Sequence, residues 1–193
     1  MSQNTYLALT IGPIYRTFNQ CKRTRSVWAS SFFFSWFIKK IAEKSAENGF
    51  NILLPHHDAD NPHQSQYGSG LYADRIYFEP SQKSRNDLHN VVNGIIAEIA
   101  KDIDSVNAHL VEQYLHQYLN IHIVEKEITD KKEVLTWLNN GLDQQELQQN
   151  YAFENERNPL LEYFDRKLTD ESILVKDAFG GGNGLRFRSI PEI

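Results

Sequence analysis

Of the 193 residues only one is cysteine, Cys21, and only one is methionine. A lone thiol closes no intrachain disulfide and assembles no cysteine-based zinc site, so the composition fits a reducing compartment and the expected location is the cytoplasm. Long hydrophobic runs are also missing. The richest apolar stretch, residues 27–41, is interrupted by Ser30, Ser31, Ser35, Lys39 and Lys40, and no basic region leads into an apolar segment at the N-terminus. Neither a membrane span nor a signal peptide is read. There is no internal repeat and no low-complexity tract. Acid is absent from residues 1–42, which hold Arg16, Lys22, Arg23, Arg25, Lys39 and Lys40; the remainder carries 14 basic against 25 acidic residues, and the whole chain has a net charge of −5. Such asymmetry excludes generalised polyanion binding but leaves room for a local phosphate or nucleic-acid contact near the first helix.

Hydrophobic residues make up 40% of the chain and aromatics 12%, which excludes a disordered polypeptide and suits one hydrophobic core. Residues 5–11 (TYLALTI) read as a buried first strand stopped at Gly12-Pro13, and a long helix is expected from about Ile14 to Asn48, with Trp28 and Phe32 on its apolar stripe. Residues 50–54 and 75–79 read as the second and third strands, each closed by proline and separated by a polar loop. A second amphipathic helix over 84–104, a further helical stretch over 106–118, and a period-two strand over 119–127 complete the series. Strand, helix, strand, strand, helix, strand is the order of the ferredoxin-like split βαβ fold. The expectation is therefore an α+β, ferredoxin-like domain over 1–128. Residues 129–193 would form a helical extension packed on it, with helices at about 131–141 and 143–167 and short strands at 172–177 and 185–190.

Three groups of residues invite chemistry. Gly12, Pro13, Ile14 and Tyr15 join the first strand to the first helix, where backbone N–H groups and the helix dipole suit an anion; Arg16, Lys22, Arg23 or Arg25 would add charge if they face the same cleft. The competing reading is a tight turn followed by a solvated basic helix face. His56, His57, Asp58, Asp60 and His63 carry metal-ligand side chains, but His89, His109, His116 and His122 show no matching spacing, and a loop without metal is the better account. Residues 180–184 (GGGNG) lack the Lys-Ser/Thr pair of a phosphate loop and read as a turn. No catalytic residue and no metal ligand is assigned.

Leu9-Thr10-Ile11-Gly12-Pro13-Ile14-Tyr15, followed by Lys22-Arg23-Thr24-Arg25-Ser26-Val27-Trp28-Ala29-Ser30-Ser31, resembles the N-terminal signature of the large, polymerase/cyclase-like subunit of type III CRISPR effector complexes of the Cmr kind. Residues 52–55 (ILLP), 70–78 (GLYADRIYF) and 187–193 (FRSIPEI) agree in order. The resemblance implies a first palm-like domain with a nucleotide-binding half-site at Gly12, Pro13, Ile14, Tyr15, Arg16 and Arg25, serving RNA-activated synthesis of a nucleotide second messenger in antiviral defence. It implies ATP as substrate, with Mg or Mn held by a second palm domain. It also implies partnership with the other effector subunits and, indirectly, with CRISPR RNA and target RNA. A Gly-Gly-Asp-Asp turn, which carries catalysis in that family, does not occur in this sequence, and residues 180–183 (GGGN) offer no carboxylate in its place. This chain alone is thus expected to be inactive, either as a fragment or as a short subunit. A stand-alone ferredoxin-like RNA-binding module is the alternative, although the sequence lacks its consensus aromatic run.

Overall fold

The computed structural model of the chain describes residues 4–55, 73–147 and 158–179. The His56–Gly70 loop, the glycine cluster and the strand expected at 185–190 lie outside them. Strand β1 (Asn4–Gly12) leads into helices α1 (Ile14–Gln20) and α2 (Thr24–Glu47), then strands β2 (Ile52–Leu54) and β3 (Arg75–Phe78). Helices α3 (Arg85–Ile103) and α4 (Ala108–Tyr118) precede strand β4 (Asn120–Ile128). The four strands form an antiparallel sheet in the order β2-β3-β1-β4, which is the ferredoxin-like split βαβ arrangement.

β1 is the centre of this sheet. Tyr6 to Ile11 are all buried, without the alternation of a half-exposed strand, because both faces of the sheet are covered. Leu7, Leu9 and Ile11 join Ile76, Phe78 and Ile123 against α2 and α3, which contribute Phe33, Phe37, Ile41, Leu88, Ile95 and Ile99. Tyr6 and Ala8, with Tyr77 and Ile128, face the opposite way. That second face is closed by α5 (Val134–Glu146), entered through a 3₁₀ turn at Lys131–Glu133, whose Val134, Leu138 and Leu142 recur every fourth residue. The Gln- and Asn-containing segment, read from sequence as part of a helical extension packed on the domain, is thus amphipathic, and it lies on the sheet.

Three departures from the sequence expectation have local causes. The first long helix is two: Cys21 and Arg23 adopt extended backbone, the Arg23 N–H donates to Ser26 Oγ at 3.2 Å, and Ser26 Oγ donates to the Arg23 carbonyl at 2.9 Å. These side-chain bonds restart the helix at Thr24 in competition with continuous helical pairing. Trp28 and Phe32 stack at 5.4 Å and are half-buried at the margin, while Phe33 and Phe37 occupy the centre of the core. α5 runs through Gly141, which was expected to end a helix, and residues 173–177 lie in α7 (Ile173–Phe179) where a strand was expected over 172–177.

The C-terminal part packs on α2. α6 (Pro159–Glu162), capped by Asn158 and continued by a π-helical turn to Lys167, brings Phe164 against Phe33 at 5.4 Å. The Tyr163 hydroxyl donates to Asp102 of α3, whose carboxylate also accepts the Ile173 N–H at the start of α7. Trp36 Nε1 donates to Asp177 at 2.7 Å, and Lys40 lies 2.9 Å from the same carboxylate.

Two glycines in helices have opposite surroundings. A methyl group on Gly141 would meet Val124 Cγ1 at 2.9 Å, whereas on Gly94 of α3 it would meet nothing within 4 Å. Val124 is β-branched and cannot swing aside cheaply. Gly141→Ala should therefore lose stability, the overpacking cost of about 1–3 kcal/mol outweighing the helix-propensity gain of up to about 1 kcal/mol. Gly94→Ala should gain up to about 1 kcal/mol. Urea midpoints moving in the same direction for both variants would contradict this placement of α5.

Candidate functional site

A cleft of about 640 Å³ opens at the end of the sheet where β1 finishes and β4 begins. Its lining converges from five places in the sequence: Thr10 to Gly12 at the end of β1, Pro13 to Gln20 along the turn and α1, Asp74 before β3, Asn120 and His122 in β4, and Glu146 at the end of α5. Antiparallel pairing explains the convergence, since Thr10 stands opposite His122 and Gly12 opposite Asn120. The Ile11 N–H donates to the Asp74 carbonyl at 3.1 Å, fixing the third wall. α1 is tied to α4 by a 2.9 Å bond between the Thr17 and Tyr118 hydroxyls, and the Thr17 N–H donates to the Pro13 carbonyl at 3.1 Å. Ahead of that bond, helix geometry leaves the amides of the first turn without intrahelical acceptors.

Of the residues expected at a nucleotide site, Gly12, Pro13, Ile14, Tyr15 and Arg16 line this one cleft. Tyr15 is 83% exposed, its ring at the mouth. Arg25 is elsewhere: it is not among the lining residues, and its guanidinium donates to the Leu168 carbonyl of the C-terminal part. Arg23 pairs with Asp165 at 3.3 Å, and Lys39 and Lys40 pair with Glu43. Much of the basic character of the N-terminal segment is thus met by carboxylates and carbonyls of this same chain. Among the described residues Arg16 is the one Arg or Lys in the cleft wall.

The sequence reading missed Asp74, Asn120, His122 and Glu146. Glu146 is engaged: Thr10 Oγ1 donates to it at 2.9 Å, and Arg75 Nη2 lies 3.1 Å from both carboxylate oxygens and 2.6 Å from Asp143. Arg75 Nη1 and the Tyr77 hydroxyl both donate to Asn139 Oδ1, at 2.7 and 2.6 Å. Burial opposes the charge on Arg75, but the hydrogen bond to Asp143 and the charges of Glu146 and Asp143 outweigh it and hold its pKa above the ordinary value. His122 presents a buried Nε2 with no hydrogen-bond partner among the described residues. Burial holds its pKa below 6.5 against the opposing pull of Glu146, so it lines the cleft as neutral imidazole at pH 7. Among the described residues no three His, Cys, Asp or Glu side chains gather as a metal-binding group.

The other side of the sheet, the face that ferredoxin-like RNA-binding modules leave open, is occupied. Tyr6 and Tyr77 stand on neighbouring central strands, as such a module requires, but both are buried beneath α5 at 4% and 8% exposure. Stacking of bases on this face would need α5 to leave. Among the described residues no helix is long and apolar enough to cross a membrane.

Fold and cleft define a ferredoxin-like α+β domain with a polar pocket at the β1–α1 turn. The family model described as CRISPR-associated protein Cmr2, N-terminal, matches residues 6–134, from β1 to the first residue of α5. The match spans more than half of the chain, which belongs to this family, the N-terminal region of the large subunit of type III CRISPR complexes. A place in a complex with other subunits follows. No curated protein matches the chain.

A histidine whose folded pKa lies below its unfolded value binds fewer protons when folded, so stability falls as pH drops through about 6.5 and is retained above it. His89, held low chiefly by burial and then by Arg85, contributes with the same sign. The thermal midpoint should decline between pH 7 and pH 5.5, and His122→Gln should flatten that decline in part. An unaltered slope in the variant would contradict the burial of His122.

Proposed function

We propose that this domain supplies half of a nucleotide site to the type III CRISPR large subunit, with the triphosphate of ATP held at Gly12 to Arg16. The observation that carries the reading is the convergence of the β1–α1 turn, the Arg16 guanidinium and the exposed Tyr15 ring on one open cleft. In this reading the first-turn amides and Arg16 receive phosphate oxygens, Tyr15 offers a flat surface to the base, and the Asn and Gln side chains at 19, 20 and 120 supply donors and acceptors for sugar and base edges. Arg75 and Thr10 neutralise Glu146 and keep one of the two acidic walls from repelling the phosphates. A second palm-type domain brings the carboxylates that hold Mg or Mn, which supply electrostatic stabilisation to phosphoryl transfer when bound. The role of the present residues is to bind and orient. Nucleotide second-messenger synthesis upon RNA recognition, in a cytoplasmic effector complex, is the function of the assembled pair.

Half a cleft binds weakly, with a dissociation constant of about 0.1–1 mM, equivalent to about −4 to −5.5 kcal/mol. Titrating ATP into the chain should shift amide resonances of residues 10–18 together with Asn120 and His122. Gly12→Val is a steric test at a position where a Cβ itself meets Asn120 at 3.7 and 3.9 Å, ordinary van der Waals contact. This variant should abolish the shifts while retaining the native spectrum, and Arg16→Ala should weaken binding and flatten its salt dependence. Incubation with ATP and Mg²⁺ or Mn²⁺ should leave the nucleotide intact. Shifts confined to residues outside the cleft would overturn the assignment.

A further inference from the structure

The two edges of the sheet differ. β2 is three residues long and its pairing with β3 is irregular, whereas β4 is nine residues long and pairs with β1 along its whole length. The direction of β4's backbone groups follows from one bond. Because the Ile11 N–H donates to Asp74 on the β3 side, the odd residues of β1 bond toward β3 and its even residues toward β4. Ala8 stands opposite Val124 and Tyr6 opposite Lys126, so the even residues of β4 turn their backbone to β1. The N–H and C=O groups of Ile121, Ile123, Glu125 and Glu127 therefore point away from the sheet; Ile123 is fully buried, so the edge lies open at Glu125 and Glu127. Among the described residues none of them is bonded to another element.

Side chains along this edge are sorted by face. On the α5 side, Val124 and Lys126 border a groove of about 620 Å³ walled by Trp137, Gly141 and Leu147. Trp137 is 46% exposed and Leu147 87%, both large apolar groups left in water, and the Lys126 ammonium lies 5.3 Å from the Trp137 ring. On the other side, Glu125 and Glu127 are exposed. An edge open at Glu125 and Glu127, with Trp137 and Leu147 exposed beside a groove that Asn140, Asp143 and Gln144 also line on one face and two carboxylates on the other, is a template for an added strand.

We propose that the β4 edge takes an extended segment of another protein as an additional strand. The charge pattern fixes its chemistry: Lys or Arg at alternate positions against Glu125 and Glu127, with apolar side chains between them entering the groove beside Trp137 and Leu147. A second copy of this chain is the poorer occupant, because two β4 edges would gather four glutamates on one face with no β4 cation there. The proposal is independent of the nucleotide cleft, which lies at the start of β4.

The test uses the full chain and two short fluorescein-labelled peptides, one of alternating arginine and valine and one of alternating glutamate and valine. Anisotropy should show preferential binding of the first, with hydrogen exchange slowed at the amides of Glu125 and Glu127. Replacing both Glu125 and Glu127 by Arg should reverse the preference, changing each affinity by about tenfold, the size of two cross-strand charge pairs. Glu125→Pro removes an outward N–H while sparing the ladder to β1, so it should lose the arginine peptide that Glu125→Gln retains in weakened form. That comparison stands even if the charge-reversed protein does not fold. Equal binding of the two peptides, equal binding by the Pro and Gln variants, or slow exchange of the Glu125 and Glu127 amides in the free chain would each overturn the proposal.

Discussion

Burial of β1 on both faces is the constraint from which the rest of the structure follows. A central strand with Tyr6 to Ile11 buried cannot stop at one layer of helices, since the even-numbered side chains would then stand in water. α5 supplies the second layer, and its approach is close enough that Gly141 must lie against Val124. The ending of α5 is equally determined. Thr10 is an even residue of β1, so its hydroxyl points to the α5 face and needs a partner there; Glu146, at the helix end, accepts from it. The carboxylate that satisfies Thr10 would itself be an unpaired charge were it not for Arg75, which reaches across from β3 to Glu146, Asp143 and Asn139. One apolar strand thus fixes a helix, and the end of that helix fixes one wall of the cleft.

The sequence made the strands and helices of the split βαβ unit legible because each carries its own local period and its own stop: Gly12-Pro13, Asn48-Gly49 with Gly49 at φ 83°, Pro55 and Pro80, and the Ser84 cap of α3. Features set by tertiary contact were not legible in the same way. The unbroken apolar character of residues 5–11 was itself a sign that two layers are needed, but nothing local says which later segment provides the second. α5 mixes Asn and Gln with apolar residues, and only Val134, Leu138 and Leu142 need face the sheet, so its composition does not announce which surface it covers. The break at Cys21 to Arg23 depends on Ser26 turning back to the Arg23 backbone, an option that propensity does not resolve.

Half of the candidate cleft was visible for the same reason. Gly12 to Arg16 are contiguous, and a strand–turn–helix junction announces itself. Asp74, Asn120, His122 and Glu146 arrive from distant positions through strand register, and each looks unremarkable in its own segment. Even so, Asn120 and His122 are polar residues alternating with Ile121 and Ile123 at the start of an otherwise half-buried strand. Once β4 is paired with β1, that alternation places them beside Gly12 and Thr10.

The acid-free opening of the chain has a different meaning in the folded protein from the one its composition carried. Lys39 and Lys40 pair with Glu43 within α2, while Asp165 meets Arg23 and Asp177 joins Lys40 to the Trp36 indole, so Arg23 and Lys40 bind the C-terminal part to the core. Arg25 serves the same junction through the Leu168 carbonyl. The Lys39 and Lys40 pairs are half-buried and the Arg23 pair is more exposed, and together they engage these cations within the chain. Arg16 stands apart from that junction, in the wall of the cleft at the β1–α1 turn.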